Sequence, residues 1–526
     1  MERFFKGLVD RRWLVIVLAL ALTGAGWWNL QQLAVDAVPD ISPKQVLILT
    51  EANSMGPLEV ERLVTVPVEM SMTGLPKMQN LRSTSRFGLS AVYITFDDSA
   101  DVATARAQVF ERLGQAKQTL PAGVGTPTEG PLSTGLGEIL EFELRGPGYT
   151  PLQLYQLLRY RIAPQLQLVP GIVSVDIYGG ELDTYEVQLS PERLRAHQLT
   201  LPEVFRAIQA NNEARGGASI ERNDEQQIVR GIALAKNKDD IAAIVLKTTE
   251  PGGIPVTVGD VADVSLAPKV RLGAVTHDGQ GETIVGVAKM EYGLNASEVL
   301  PPLKAKMAAL QKLLPPGVEM PIFYDCSDLI QRSIHTVEHN LVEGAAFVIA
   351  ILLLMLGGLR AGLIVAAVIP LAMMIAFAGM RALHIPANLM SLGAVDFGLL
   401  VDGAVVLVEN ILRRQTMAQQ AGEGGDEAAT DPVKVIPSAA AQVAKPVAFS
   451  VIIIAAVYLP ILALQDIEGK TFRPMALTVM IALAGALAIT MLVVPALAAT
   501  VLSSKPSVGD TFLVRWARKG YTPVLR

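Results

Sequence analysis

The distribution of apolar runs constrains this chain most. One run, Trp13–Leu30, lies near the start, and no other of membrane length occurs before residue 336. Five then follow: Leu341–Leu356, Leu363–Met380, Met390–Leu412, Val447–Leu464 and Met475–Leu502. Runs of about 20 apolar residues match a hydrocarbon core about 30 Å thick. A hydrophobic fraction of 51%, a charged fraction of 18% and a mean hydropathy of +0.39 fit a chain partly in a membrane and partly in water. The net charge is only −6 over 526 residues, and basic residues do not cluster with aromatics, which argues against nucleic acid as a partner. The single cysteine, Cys326, has no partner for an internal disulfide. The first run follows Arg3, Lys6, Arg11 and Arg12, but no A-x-A-like site comes after it, so it reads as an uncleaved anchor.

If the runs alternate in direction, the basic residues fall mostly on one side. Arg360, Arg413, Arg414, Lys434, Lys445 and the terminal cations from Lys505 to Lys519 join the N-terminal group there. The other side holds Arg381, Lys470 and Arg473. The positive-inside rule makes the richer side cytoplasmic and puts residues 31–336 outside. That outer region has an α/β rhythm. "KQVLILT" reads as a strand, "GPLEVERLVTVPVEMSM" as a helix, "MQNLRSTSRFGLSAVYITFDD" as a hairpin and "DVATARAQVFERLGQAKQTL" as an amphipathic helix. A similar order begins again at "EILEFEL", breaks near Glu181 and resumes at "ETIVGVAKMEY". The pattern predicts two split βαβ sandwiches, the second interrupted by a polar insertion from roughly Glu181 to Arg271.

The fourth run carries Asp396, Asp402 and Glu409. A carboxylate at the bilayer centre costs roughly 2.5–3.5 kcal/mol on insertion scales. In a continuous helix Asp402 and Glu409, seven apart, lie within about 20° of one face, and Asp396 lies about 120° from Asp402. Counting from Met390, Asp402 falls about 18 Å into the core, near mid-depth, which marks an ion or proton path. For Asp396 the competing role is a packing hydrogen bond, and for Glu409 a satisfied place near the cytoplasmic boundary. No Lys or Arg lies inside any of the six runs, so these spans offer Asp402 no buried cation. Gly393, Gly398 and Gly403 are expected to allow close helix approach.

The stretch "DFGLLVDGAVVLVEN" resembles the fourth-span motif of the heavy-metal efflux branch of the resistance–nodulation–division (RND) transporters. "DAVPDISPKQVLILTEA", "GLPKMQNLRSTSRFGLSAVYITFDD", "PLSTGLGEILEFEL", "RLGAVTHDGQGETIVGV" and "LPILALQDIEGKTFRPMALT" agree in the same order, and the similarity covers essentially the whole chain. The resemblance implies an α/β plus membrane α-helical fold. Six transmembrane helices, half of the family's repeat pair, would carry two extracytoplasmic ferredoxin-like porter subdomains and an inserted docking subdomain. The expected division is 1–30, an amphipathic segment and first span; 31–137, the first porter subdomain; 138–180 with 272–325, the second; and 181–271, the docking subdomain. Spans two to four occupy 326–412, a cytoplasmic loop 413–445, spans five and six 446–503, and a cytoplasmic amphipathic segment 504–526.

Family members have two such halves, and the lysine that partners the central carboxylate comes from the other one. The resemblance therefore implies a proton relay of Asp402, Asp396 and Glu409, and a partner in the form of a C-terminal half or a chain supplying it. It further implies a homotrimer in the lipid bilayer of the bacterial inner membrane, with a large periplasmic domain, a periplasmic adaptor and an outer-membrane channel. Glu138, in "GLGEI", is a candidate metal ligand facing the family's outer cleft; the competing role is an ordinary strand-edge residue. His335 and His339 in "HTVEH" have a spacing that can place two imidazoles on one side of a helix, although their boundary position suits an interfacial role. Met355, Met373, Met374, Met380 and Met390 could serve as thioether ligands or as gap-fillers. Leu400 stands where copper and silver members carry methionine, and the "DFG" and "DGA" elements look more like the divalent-cation members. Cys326 reads as an incidental thiol.

The expected activity is proton-coupled export of divalent ions of the zinc, cobalt, cadmium or nickel class, with protons as coupling ion, no resident cofactor and no enzymatic step. No Walker-type phosphate loop is present. The alternative is a non-transporting, truncated repeat acting in assembly. Export of organic or lipid molecules fits the "DFG…DGA…VEN" pattern less well.

Overall fold

The computed structural model describes residues 1–502 and 521, apart from 34, 37, 38, 122, 214, 223, 224, 232, 233, 249–253, 270, 272, 280, 357, 394 and 423–432. The amphipathic segment expected at 504–526, apart from Tyr521, and the middle of the loop expected at 413–445 therefore lie outside the described residues.

Two antiparallel sheets have the same plan. The first comprises β1 (Lys44–Glu51), β2 (Met78–Arg86), β3 (Leu89–Phe96) and β4 (Thr128–Glu129), in the order β2-β3-β1-β4. Alternation sets its burial: Val46 and Ile48 on β1, and Val92, Ile94 and Phe96 on β3, point inward. They meet Val68 and Met72 of one helical segment and Val109 and Leu113 of the helix Val102–Thr119. Asp101 caps that second helix by accepting from the Thr104 N–H at 2.9 Å.

The second sheet is built from β5 (Glu138–Leu144) and β6 (Ile172–Gly179), and the chain then leaves it. A separate unit follows, with β7 (Asp183–Leu189), the hairpin β8 (Arg215–Arg222) and β9 (Glu225–Gly231), the pair β10 (Val245–Thr248) and β11 (Pro255–Thr257), and β12 (Ala262–Pro268), which pairs with β7. This unit has its own small core around Ile241, Ile244 and Val258. The chain returns through β13 (Val275–Thr276), β14 (Glu282–Met290) and β15 (Ile322–Asp325). β14 pairs with both β5 and β6, and β15 pairs with the other edge of β5. The order β6-β14-β5-β15 thus repeats that of the first sheet, giving two split βαβ units.

Among the described residues, six helices are long and apolar enough to cross a membrane: Arg12–Gln31, Cys326–Met355, Leu359–Ala382, Leu389–Ala418, Ile436–Leu462 and Asp466–Val501. The third, fourth and sixth supply most of one continuous apolar core, including Val365, Ala372, Ala404, Leu407, Ala482 and Ala486. Two of the helices are interrupted, the third for an identifiable reason. The third changes from Leu359–Ala366 to Val368–Ala382 just ahead of Pro370, which lacks the N–H and crowds the preceding turn. The fourth breaks between Gly393 and Phe397, so the expected continuous helix is two, Leu389–Gly393 and Phe397–Gly422.

The helix of the second span runs from Cys326 to Met355, so its polar first half extends well ahead of the apolar run that begins at Leu341. It follows β15 directly, with Asp325 accepting from the Ser327 N–H at 2.9 Å as the cap. One boundary differs from the expected division: the fourth span runs past Leu412 to Gly422.

Candidate functional site

Asp396 occupies the last residue of the break in the fourth span. Its Oδ1 accepts from the Gly398 N–H at 2.8 Å, so the carboxylate caps the helix that begins at Phe397. The sequence reading of a packing hydrogen bond thus finds a specific form, while the expected 120° offset from Asp402 does not apply to a residue outside the helix. Gly398 serves this cap, and a Cβ on Gly393 would meet nothing within 4 Å. Gly403 alone of the three glycines allows close approach of spans: a Cβ there would lie 2.8 Å from Val447 Cγ1 of the fifth span.

Beyond the cap, the helix has two faces. Leu400, Val401, Ala404, Leu407, Val408 and Ile411 are buried against neighbouring spans. Asp402, Val406 and Glu409 lie on the opposite, exposed face. Among the described residues neither Asp402 nor Glu409 makes a hydrogen bond or ion pair. A cavity of about 250 Å³ beside Asp396 is walled by Val337, Leu341 and Gly344 of the second span and by Phe397. The break, the cap and the open acidic stripe therefore belong to one side of the bundle.

The second constellation is on the sheet. Lys289 of β14 lies opposite Glu138 of β5 and diagonally from Asp176 of β6. Its Nζ is 3.2 Å from Glu138 Oε1 and 2.8 Å from Asp176 Oδ2. These side chains lie on the face away from the helices that cover Leu140, Val175 and Ala288. Farther along, Glu143 is nearly fully buried and paired with Arg145 at 2.5 Å, with His277 at 3.3 Å and with the Thr283 hydroxyl. Burial pushes the Glu143 carboxyl up, but the hydrogen bonds from Arg145 and Thr283 prevail and hold it below its usual range. Sequence reasoning singled out Glu138 but missed Lys289 and Asp176, which register alone brings together.

Glu138 also opens onto a cavity of about 420 Å³ at the junction of sheet and bundle, lined by Asp36, Asp40, Tyr324, Cys326 and Lys470. Lys470, in the first turns of the sixth span, reaches Asp98 of the first sheet unit at 2.7 Å and the Ser42 carbonyl at 2.9 Å. The remaining candidates lie apart. His335 and His339 stack with centroids 6.4 Å apart, and His339 approaches Glu343 at 3.5 Å. Met373 and Met380 are buried in the helical core, Met355 is exposed and Cys326 is half-buried. Among the described residues no three or more His, Cys, Asp or Glu side chains converge in a group able to hold a metal ion.

Residues 4–526 match the AcrB/AcrD/AcrF family. The chain belongs to that family. Among relatives, it is 40% identical over 533 residues to "Cation efflux system protein CzcA" of Alcaligenes sp. (strain CT14), an alignment covering 100% of this chain and 50% of that protein. It is 35% identical over 530 residues to "Cation efflux system protein CusA" of Escherichia coli (strain K12), again covering 100% and 50%. Crystal forms I and II of a heavy metal efflux pump superpose with TM-scores of 0.85 and 0.86, at 33% and 34% identity, over 99% of this chain and 50% and 49% of theirs. The chain thus spans about half the length of the curated relatives it matches, and its fold is that of the heavy-metal efflux branch.

Proposed function

We propose that this chain is the N-terminal half of a proton-driven antiporter that exports divalent heavy-metal cations across the cell envelope. The observation that carries this reading is the open stripe of Asp402 and Glu409 below a helix break capped by Asp396. Ionisable groups inside spans face a bundle interior or an aqueous path. Here that face is turned away from the chain's own core, as expected if a second six-helix half supplies the opposing wall and its cation. Proton binding at Asp402 removes a charge from that wall and changes which packing of spans is favoured.

The sheets all lie at one end of the bundle, since the first span leads into β1 and β15 leads into the second. With the cations gathered at the other end, the sheets are periplasmic and the membrane is the bacterial inner membrane. In this reading residues 31–137 and 138–180 with 272–325 are the porter subdomains and 181–271 the docking subdomain. A trimer engages a periplasmic adaptor and an outer-membrane channel. Glu138 is a metal ligand in transit, with Lys289 holding its charge meanwhile. The efflux names of the relatives and the leucine at position 400 favour zinc, cobalt, cadmium or nickel. The half length keeps a second reading, a non-transporting repeat active in assembly.

The test uses the complete pump in proteoliposomes. Asp402→Asn, close in shape to the protonated acid, is expected to abolish metal-driven proton movement while leaving assembly intact. Normal coupled export by this variant would remove Asp402 from the mechanism.

A further inference from the structure

A third cavity, of about 430 Å³, lies where three segments meet at the sheet-bearing end of the bundle. The end of the first span contributes Gln32 and Leu33, the helix start near Asn295 contributes Glu298, the last turn of the third span contributes Arg381, and the turn after it His384. Its volume is within the range of small-molecule sites. The Asp36 N–H donates to the Ala387 carbonyl at 3.0 Å, and Asn295 Nδ2 donates to Asp36 Oδ1 at 2.8 Å, which fixes the junction. Asn295 is itself buried.

The lining carries charges of both signs. Asp36 and Glu298 line it with carboxylates, Arg381 with a guanidinium and His384 with an imidazole. Among the described residues, the side chains of Glu298, Arg381 and His384 make no hydrogen bond or ion pair. Asp36 is half-buried, and its carboxyl is pushed up to about 6 by burial and by the nearby Asp40 and Glu298. A cation placed there would relieve all three carboxylates. The depth is also informative. The first span ends at Gln31 and the third at Ala382, with Trp27 and Trp28 exposed one turn below. Tryptophan favours the membrane–water interface, so the cavity opens at headgroup level. Leu383, next to Arg381 and His384 in sequence, and the two tryptophans are exposed apolar side chains at this level.

We propose that this cavity binds the headgroup of a phosphatidylethanolamine lipid, its ammonium against Asp36 and Glu298 and its phosphate against Arg381 and His384. Guanidinium binds phosphate through paired charge-assisted hydrogen bonds. A divalent cation suits the cavity less well, because Arg381 shares it and no group of three metal-ligating side chains forms among the described residues. The inference rests on the bundle spanning a membrane and is independent of the transported ion.

The experiment uses the purified chain, stripped of lipid in detergent, with native mass spectrometry of added phosphatidylethanolamine. One lipid is expected to be retained, and Arg381→Gln or Glu298→Gln is expected to weaken it about tenfold, the effect of losing one charge-assisted contact. Both side chains are exposed, and circular dichroism checks that the variants remain folded. Phosphatidylglycerol, which lacks the amine, is expected to bind no better to wild type than to Glu298→Gln. Equal retention by wild type and both variants would overturn the proposal, as would equal binding of phosphatidylglycerol. Full competition by soluble phosphoethanolamine would refute a lipid source. Zinc binding that depends on Glu298, with lipid retention unchanged, would make it a metal site instead. None of these readouts involves export, so failure here leaves the transport reading standing.

Discussion

Replacing Asp36 with Asn should stabilise the protein at neutral pH. The Asp36 carboxyl titrates near 6 in the fold, against an ordinary value of 3.8, because it is half-buried and faces Asp40 and Glu298. A shift of about two units corresponds to about 3 kcal/mol at about 1.4 kcal/mol per unit. Asp36 keeps some contact with water, so screening reduces this to about 1–2 kcal/mol. The folded state binds the proton more tightly than the unfolded chain. The cost of ionising Asp36 is therefore absent below about pH 3.8, grows as pH rises through 6, and is complete by about pH 7. Asparagine carries no charge and still offers an oxygen to Asn295 Nδ2. Asp36→Asn should raise the unfolding midpoint in lipid-depleted detergent at pH 7 and have no effect near pH 4. Unfolding midpoints measured from pH 4 to 8 decide the matter. A variant less stable than wild type at pH 7, or a gain that does not vary with pH, would refute the reasoning.

Two further substitutions test the packing. Asp396→Ala removes the cap at the break in the fourth span and should cost about 0.5–2 kcal/mol locally; faster hydrogen exchange at residues 397–400, with little change at 404–411, is the expected sign. Gly286→Ala should destabilise the second sheet by about 1–3 kcal/mol, because the added Cβ would press into the Phe142 ring. Chemical unfolding followed on that unit measures this, and an unchanged midpoint would show that Phe142 yields freely.

The parts legible in the sequence were those that depend on local pattern. Alternation in "KQVLILT" and a repeated strand–helix order announced both sheets, and an apolar run with three carboxylates announced the fourth span. The break at Gly393 was not legible, since nothing in the apolar run shows that Asp396 would cap a new helix. Apolar counting alone would have started the second span near Leu341, because it discards a polar helical extension such as "CSDLIQRSIHTVEH". Lys289 and Asp176 were missed for a different reason. Strand register sets them beside Glu138 across 151 and 38 positions of chain, and no local signal carries that. A lysine after the apolar run "IVGVA" of strand "ETIVGVAKM" was the one available hint.

The direct passage from β15 into the second span has a mechanical consequence. With no linker at Asp325 and Cys326, and with Lys304 holding Asp325 from the neighbouring helix, a strand and a 30-residue helix behave as a single rod. That helix is about 45 Å long, so pivoting it by about 10° at one end displaces the other by about 8 Å. Such a stroke exceeds the spacing between two strands, about 4.8 Å. The cavity beside Asp396 touches that helix near its middle, at Val337, Leu341 and Gly344, so a tilt arising there works over about half the length and moves the sheet edge by about 4 Å.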